Sequence, residues 1–174
     1  MIYRNIYLNI NGYARHGKDT VGDLFQKWGL KKASASHFYA QMIMEDNILG
    51  PYDSVEECYE DRVNHRSEWY DYIRSITKED PYYFVSRVLE RGHIYCGHRA
   101  RYEFEKTKEL FDATIWVDAS GRGLPKEDVS SCDLTLEGHD FVIDNSKSIE
   151  HTQEQCDSII QFILNERKAS NAYS

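Results

Sequence analysis

The sequence predicts the α/β class, with a mostly parallel sheet. Apolar runs at 5–10, 93–97, 113–117 and 141–143 are separated by segments of helical period. A glycine-bearing turn, Gly12-Tyr13-Ala14-Arg15-His16-Gly17-Lys18-Asp19-Thr20, joins the first run to the first helix. The 174 residues, 41% hydrophobic, suffice for a single domain over 1–174.

Ile6, Leu8 and Ile10 alternate with Tyr7 and Asn9, which predicts a strand over 5–10. A helix follows from about Lys18, because Val21, Leu24, Phe25 and Trp28 recur at one helical face; Gly29 stops it. Lys31 to Ser36 reads as a weak short strand. Ser36 is placed as the cap of a helix through Phe38, Met42, Ile43 and Leu49, stopped by Gly50 and Pro51. Ser54-Val55-Glu56-Glu57 has the form of a capping box and opens a helix toward Asn64. Arg66 to Ile76 puts Trp69, Tyr72, Ile73 and Ile76 on one side. Asp80-Pro81 opens another helix, with Phe84, Val85, Val88 and Leu89 inward and Gly92 at its end. Residues 37–92 therefore read as a helical block.

Ile94, Tyr95 and Cys96 form the next strand, Arg101 to Phe111 a helix, and Ala113 to Val117 another strand. A polar loop over 119–135 holds Gly121, Gly123 and Pro125. Phe141-Val142-Ile143 is the last strand, and Ser148 caps a final helix carrying Cys156, Ile159, Ile160, Ile163 and Leu164. Ala169 to Ser174 reads as a frayed end. In a parallel sheet of this kind ligands bind at the C-terminal strand ends.

The turn after the first strand carries the chemistry. Glycine, four residues, glycine and lysine are the spacing of a phosphate-binding loop. Its backbone N–H groups converge on an anion, with Lys18 reaching the terminal phosphates and the next helix aiming its N-terminus at them. Gly12, Arg15, Gly17, Lys18, Asp19 and Thr20 are the binding candidates. Asp19 stands where a Ser or Thr usually touches Mg²⁺. It is either a hard oxygen ligand or a residue that favours the helix N-terminus through the dipole.

Formal net charge is −8, and no Lys/Arg run marks a duplex-DNA footprint. The four cysteines, Cys58, Cys96, Cys132 and Cys156, have neither zinc nor redox spacing; Cys96 and Cys156 are expected to be buried thiols. The first strand begins at the N-terminus with no leader pattern, and no apolar stretch is long enough to span a bilayer. A cytoplasmic protein with no membrane partner is the expectation. No Ser-His-Asp or Cys-His grouping suggests a hydrolase.

Four segments together resemble the P-loop nucleoside monophosphate kinases, most closely those of bacteriophages that act on deoxynucleoside monophosphates. They are the loop ending Gly17-Lys18-Asp19-Thr20, the stretch Gly97-His98-Arg99-Ala100-Arg101-Tyr102-Glu103, the strand 114–118 leading to Arg122, and Phe141-Val142-Ile143-Asp144-Asn145 before a Ser-capped helix. The resemblance implies a three-layer αβα P-loop NTPase fold with a helical acceptor-binding insertion at 37–92 and a lid loop at 119–135. It implies ATP and Mg²⁺ as cofactors and a small nucleotide as substrate.

In such kinases Lys18 and the loop hold the donor phosphates, with Mg²⁺ near Asp19. Arg99 is the first candidate for the acceptor phosphate, because guanidinium binds phosphate in bidentate fashion. Arg66 and Arg87 on the helical block are further candidates, or surface ion pairs. Glu103 either orients Arg99, contacts the acceptor sugar or a metal-bound water, or is an exposed acid at a helix start. Arg122 and Lys126 lie in the lid; Arg122 would touch the transferring phosphate or cover the donor base, as Arg15 would from the loop. Asp144 and Asn145 fall where similar kinases hold adenine, or form a plain turn. Trp69, Tyr70, Tyr72, Tyr82 and Tyr83 offer a stacking surface or ordinary packing, and an exposed aromatic face there would serve a homodimer.

The reading is ATP-dependent phosphoryl transfer to a (deoxy)nucleoside 5′-monophosphate, giving the diphosphate. The alternatives are a P-loop kinase on another acceptor, such as a hydroxymethylated pyrimidine in DNA or a small metabolite, and a non-catalytic nucleotide-binding module. The acidic charge argues against a nucleic-acid acceptor.

Overall fold

β1 (Leu8–Asn11) is buried on both faces. Every one of its side chains must therefore find apolar neighbours or a hydrogen-bond partner. Leu8 and Ile10 take the first course and join the core with Val21 and Phe25. Asn9 and Asn11 take the second. Asn9 Nδ2 donates to His98 Nδ1 at 2.9 Å, and Asn11 accepts the His98 N–H at 2.8 Å. The alternation of the sequence is thus apolar against bonded polar, with no solvent face. The strand also begins later than expected: Ile6 and Tyr7 precede it, and Asn5 lies outside the described residues. The computed structural model describes residues 6–172.

β1 lies between β2 (Ile94–Cys96) and β3 (Ala113–Asp118), and β4 (Phe141–Asp144) pairs outside β3. All pairings in this four-stranded sheet are parallel, with order β2-β1-β3-β4. The chain crosses β1 on its way from β2 to β3, so the C-terminal ends of these strands form the switch point where ligands enter an α/β sheet. α1 (Lys18–Phe25) and α7 (Ile149–Ala172) cover one face. α6 (Arg101–Thr107) and Cys132 to Leu134 cover the other through Phe104 and Trp116. The α/β class is as expected, with helices on both faces of the sheet.

The helical block comprises α2 (Ala35–Glu45), α3 (Val55–Asp61), α4 (Arg66–Glu79) and α5 (Tyr83–Leu89). It builds a second core around Tyr39, Ile43, Trp69 and Phe84. Ser34, not Ser36, caps α2: its Oγ accepts the His37 N–H at 3.2 Å from an extended backbone, while Ser36 is already helical. α2 ends at Glu45, short of Leu49, and Lys32 makes only an isolated bridge to Ile94. The capping box at Ser54 forms, with Ser54 Oγ accepting the Glu57 N–H and the Glu57 carboxylate accepting the Asp53 N–H. Ser148 Oγ accepts the His151 N–H at the start of α7. The expected fraying from Ala169 is not seen as far as Ala172, because α7 continues through it.

Cys58, Cys132 and Cys156 are buried and Cys96 only partly. Of the block's aromatics, Trp69 is buried and Tyr70, Tyr72, Tyr82 and Tyr83 are half-buried, while Ile48 and Val63 are large apolar side chains that the block exposes. Among the described residues no helix is long and apolar enough to cross a membrane.

Asn9 satisfies a fully buried histidine, so its loss leaves a buried nitrogen unpaired. Asn9→Ala is expected to cost about 1–3 kcal/mol. Urea denaturation should show a lower midpoint at unchanged slope.

Candidate functional site

The loop leaving β1 runs directly against the end of β3. A Cβ on Gly12 would lie 2.7 Å from the Val117 carbonyl oxygen, so no larger residue fits. Gly17 has φ +91°, in the left-handed region, and a Cβ there would collide with the Asn145 amide. Two buried side chains fix the turn between them. His16 Nδ1 accepts the Ala119 N–H at 2.9 Å and its Nε2–H donates to the Pro125 carbonyl at 3.2 Å. Asn145 Nδ2 donates to the His16 carbonyl at 2.9 Å, while its Oδ1 accepts from Thr152. Asn145 therefore shapes the loop and does not line the cleft in front of it.

That cleft has a volume of about 410 Å³ and lies over the C-terminal ends of β1 and β2. Six cationic side chains line it: Arg15, Lys18, Arg62, Arg66, Arg74 and Arg99. α1 begins beside it at Lys18 with no side-chain cap on its first N–H groups. Uncapped N–H groups at a helix start favour an anion. The Lys18 ammonium lies below its ordinary pKa, chiefly through burial and then through the Arg99 charge, and its stem crosses Gly97 at 3.5 Å from where a Cβ would sit. An incoming anion would relieve both effects on Lys18.

Aromatic rings line the same cleft, among them Tyr39, Trp69, Tyr70, Tyr95 and Tyr102, with the Arg74 guanidinium over the Tyr70 ring. Glu103 lies among them, only 5% exposed, so it is not the exposed helix-start acid that its position allowed. Burial pushes its carboxyl up to about 8. His98 Nε2 lies 3.8 Å from Glu103 Oε1 but is held down at about 3 by its own burial and donates to Thr107 instead. Asp19 is exposed at the cleft mouth, with Lys32 Nζ 3.7 Å from its carboxylate and also bound to its carbonyl.

Glu127 completes the site. Its Oε2 accepts the Ala14 N–H at 2.6 Å and its Oε1 accepts from Arg99 at 2.6 Å. This carboxylate ties the 119–135 segment to the glycine loop and to Arg99 together. The segment is anchored further on: Asp133 N donates to the Arg99 carbonyl, Arg101 N donates to the Asp133 carboxylate, and Cys132 and Leu134 are core. The expected lid is therefore pinned over its last residues.

Of the residues singled out in sequence, Arg15, Lys18, Asp19, Arg66, Arg99 and Glu103 meet in the cleft. Others do not. Arg87 lies in a separate groove beside Lys31 and Arg91, where its guanidinium stacks 3.6 Å from the Tyr83 ring centre. Arg122 is exposed and reaches only the Lys147 carbonyl, at 3.5 Å. Thr20 is exposed on α1 outside the cleft lining. Arg62, Arg74 and Glu127 went unnoticed. Arg62 and Arg74 follow Tyr59 and Tyr70 at three and four residues and lie over those rings, a helical Tyr-to-Arg spacing that points at them. Nothing local distinguishes Glu127 from its acidic neighbours.

No family model and no curated protein matches the chain.

The Glu103 carboxyl titrates near 8 in the folded chain against an ordinary 4.5. Between those values the fold holds a proton that the unfolded chain has released, so stability falls as pH rises across the window. Glu103→Gln removes this penalty. It is expected to raise Tm by several degrees at pH 8 and hardly at all near pH 4.5, measured by thermal melts at both pH values.

Proposed function

We propose that the protein is an ATP-dependent kinase of (deoxy)nucleoside 5′-monophosphates built on a P-loop scaffold. The observation that carries this reading is one continuous cleft with two chemistries. Its cations and the uncapped helix start suit phosphate; its aromatic rings suit a planar base. A phosphorylated small metabolite would have no use for the rings. A duplex acceptor is disfavoured by the net charge of −8.

Phosphoryl transfer asks the protein to align two substrates and to neutralise charge on the moving group. On this reading Lys18 and the N–H groups of the loop and of the first turn of α1 hold the donor phosphates. Arg99, whose guanidinium already binds a carboxylate, takes the acceptor phosphate in the same manner. Arg15 and Arg66 add positive charge between the two. Asp19 would hold Mg²⁺ together with the donor phosphates, since Mg²⁺ is commonly bound by one or two carboxylates plus substrate oxygens. The ion would supply charge neutralisation. Asp19 fits this by its exposure at the cleft mouth, and Lys32 is its competitor there.

Lys18→Ala is expected to lower turnover by at least about a thousandfold in a coupled ATP-consumption assay against a panel of ribo- and deoxyribonucleoside monophosphates. Arg99→Lys should raise acceptor KM by about tenfold with a smaller change in kcat, because the paired contact is lost while the charge stays. Unchanged turnover in Lys18→Ala would remove the donor role of the loop.

A further inference from the structure

The groove that holds Arg87 has a volume of about 300 Å³ and lies apart from the cleft. α2 separates the two. His37, Phe38 and Gln41 line the groove, Ser36 and Tyr39 line the cleft from the opposite face of the helix, and Ser34 alone borders both. Three cations meet in the groove, Lys31, Arg87 and Arg91, and no Asp or Glu is part of its lining. This is unusual in a chain of net charge −8. Elsewhere cations stand against carboxylates, as Lys27 does with Asp157, Lys32 with Asp23 and Arg101 with Glu105. Among the described residues no ion pair engages Lys31, Arg87 or Arg91. The nearest acids are taken by neutral neighbours: Glu45 accepts from Gln41 at 2.7 Å, and Glu56 is bonded to His37 Nε2 at 3.0 Å.

The three cations are held where they are. Lys31 is fixed through its backbone, its N–H donating to His93 Nδ1 at 3.0 Å and its carbonyl accepting the His93 N–H at 2.7 Å. A Cβ on Gly92 would lie 2.7 Å from the Lys31 carbonyl oxygen, so the chain just after Arg91 is pressed against the chain at Lys31. The Arg87 guanidinium lies over the Tyr83 ring and donates one N–H to the Tyr83 carbonyl at 2.9 Å. The Arg91 guanidinium lies over the Phe38 ring, 5.2 Å from its centre. Arg87 and Arg91 stand four residues apart at the end of α5, and like charges at that spacing repel. The carbonyl end of α5 favours a basic residue there, but it gives no reason for Lys31 to converge on the same groove from another stretch of chain.

We propose that this groove is a second ligand site, for a small anion that carries phosphate groups. Arg87 and Arg91 would grip its oxygens through the guanidinium N–H groups they have free, and Lys31 would add a point charge. Val55 and Val88 supply an apolar wall. The volume is at the lower end for small-molecule pockets and suits a compact polyanion. Guanidinium heads preset by aromatic rings lose less freedom on binding than free ones. The proposal goes beyond the kinase reading and does not depend on it.

The test is a titration of the full-length, ¹⁵N-labelled chain with inorganic pyrophosphate, followed by backbone and arginine side-chain NMR shifts at an ionic strength of about 0.15 M, where exposed charges further apart than a Debye length are screened. Signals of residues 31–38 and 87–92 should shift along a saturable curve separate from that of the loop at 12–18. Arg87→Gln should weaken the groove curve by about tenfold and leave the loop curve unchanged. Lys31→Gln, at an exposed position whose backbone bonds do not use the side chain, should weaken it by about threefold. No saturable shift at the groove, or a groove curve unchanged in both variants, overturns the site. Citrate binding there as tightly as pyrophosphate at matched ionic strength overturns the phosphate class, and an oligoglutamate peptide binding there more tightly overturns the small ligand. Saturation at the groove with no response at the loop supports this site and removes the donor role of the loop.

Discussion

The site depends on a close approach of backbone to backbone where β1 leaves the sheet. The chain at Gly12 passes so near Val117 that a side chain has no place, and the loop cannot move back without opening the sheet core. From there the turn has one course. His16 is held between Ala119 and Pro125, and its carbonyl is held by Asn145, which is itself tied to Thr152 on α7. The segment carrying Ala119 and Pro125 thus grips the buried imidazole, while Asn145, backed by Thr152, grips the carbonyl of the same residue. Because His16 accepts at Nδ1 and donates at Nε2, a single neutral tautomer satisfies both neighbours. The loop glycines have sufficient cause in the protein's own atoms, and the uncapped start of α1 inherits its rigidity from them.

Rigidity at that point matters because the charges around it repel one another. Lys18 and Arg99 stand close enough that the guanidinium helps to depress the ammonium. Such a cluster of cations in a chain of net charge −8 is held together by packing and by interposed carboxylates. The guanidinium heads of Arg62 and Arg74 lie over the rings of Tyr59 and Tyr70, where Arg62 donates to the Tyr59 carbonyl and Arg74 to the Tyr70 hydroxyl. Glu103 in the same lining is buried with no cation bonded to it, and burial raises its carboxyl to about 8. Cations and rings are thus interleaved in one cleft, with Arg74 near Tyr102 and Arg99 near Tyr39.

Much of this was legible in the sequence, and the gaps have physical causes. The order of strands and helices followed from period and punctuation. The convergence of Lys18, Arg99 and Glu103 was readable because each lies at or just beyond the end of a strand, where a parallel sheet gathers residues distant in sequence. Arg87 misled because α5 turns its guanidinium onto Tyr83, in a groove facing elsewhere, and helical spacing alone does not say which groove a long side chain enters. Ser34 and Ser36 were indistinguishable by type, and geometry chose between them by giving Ser34 the extended backbone of a cap. Asn9 alternates with apolar residues in the sequence, and its burial follows only from the fold, which brings His98 to it across 89 residues. Glu127 was invisible because its partners, Ala14 and Arg99, are brought to it by the fold across 113 and 28 residues.

Glu127 also bears on how a phosphate would enter. Its two oxygens occupy one N–H of the glycine loop and one guanidinium N–H of Arg99, the same kinds of donor a phosphate uses. Arg99 keeps further guanidinium N–H donors beside the one that Glu127 uses, whereas the single Ala14 N–H can serve only one anion at a time. A phosphate that took the Ala14 N–H would therefore compete with the bond that fastens residue 127 to the loop. The cost is limited, because a displaced carboxylate regains water while the phosphate gains Lys18 as well as Arg99. The segment from 123 to 130, free of regular structure and fixed beyond by Cys132 and Leu134, is where that release would be absorbed. On the proposed reading, phosphate binding at the loop and the position of this segment would be coupled through the Glu127 side chain, by hydrogen-bond valence at the Ala14 N–H.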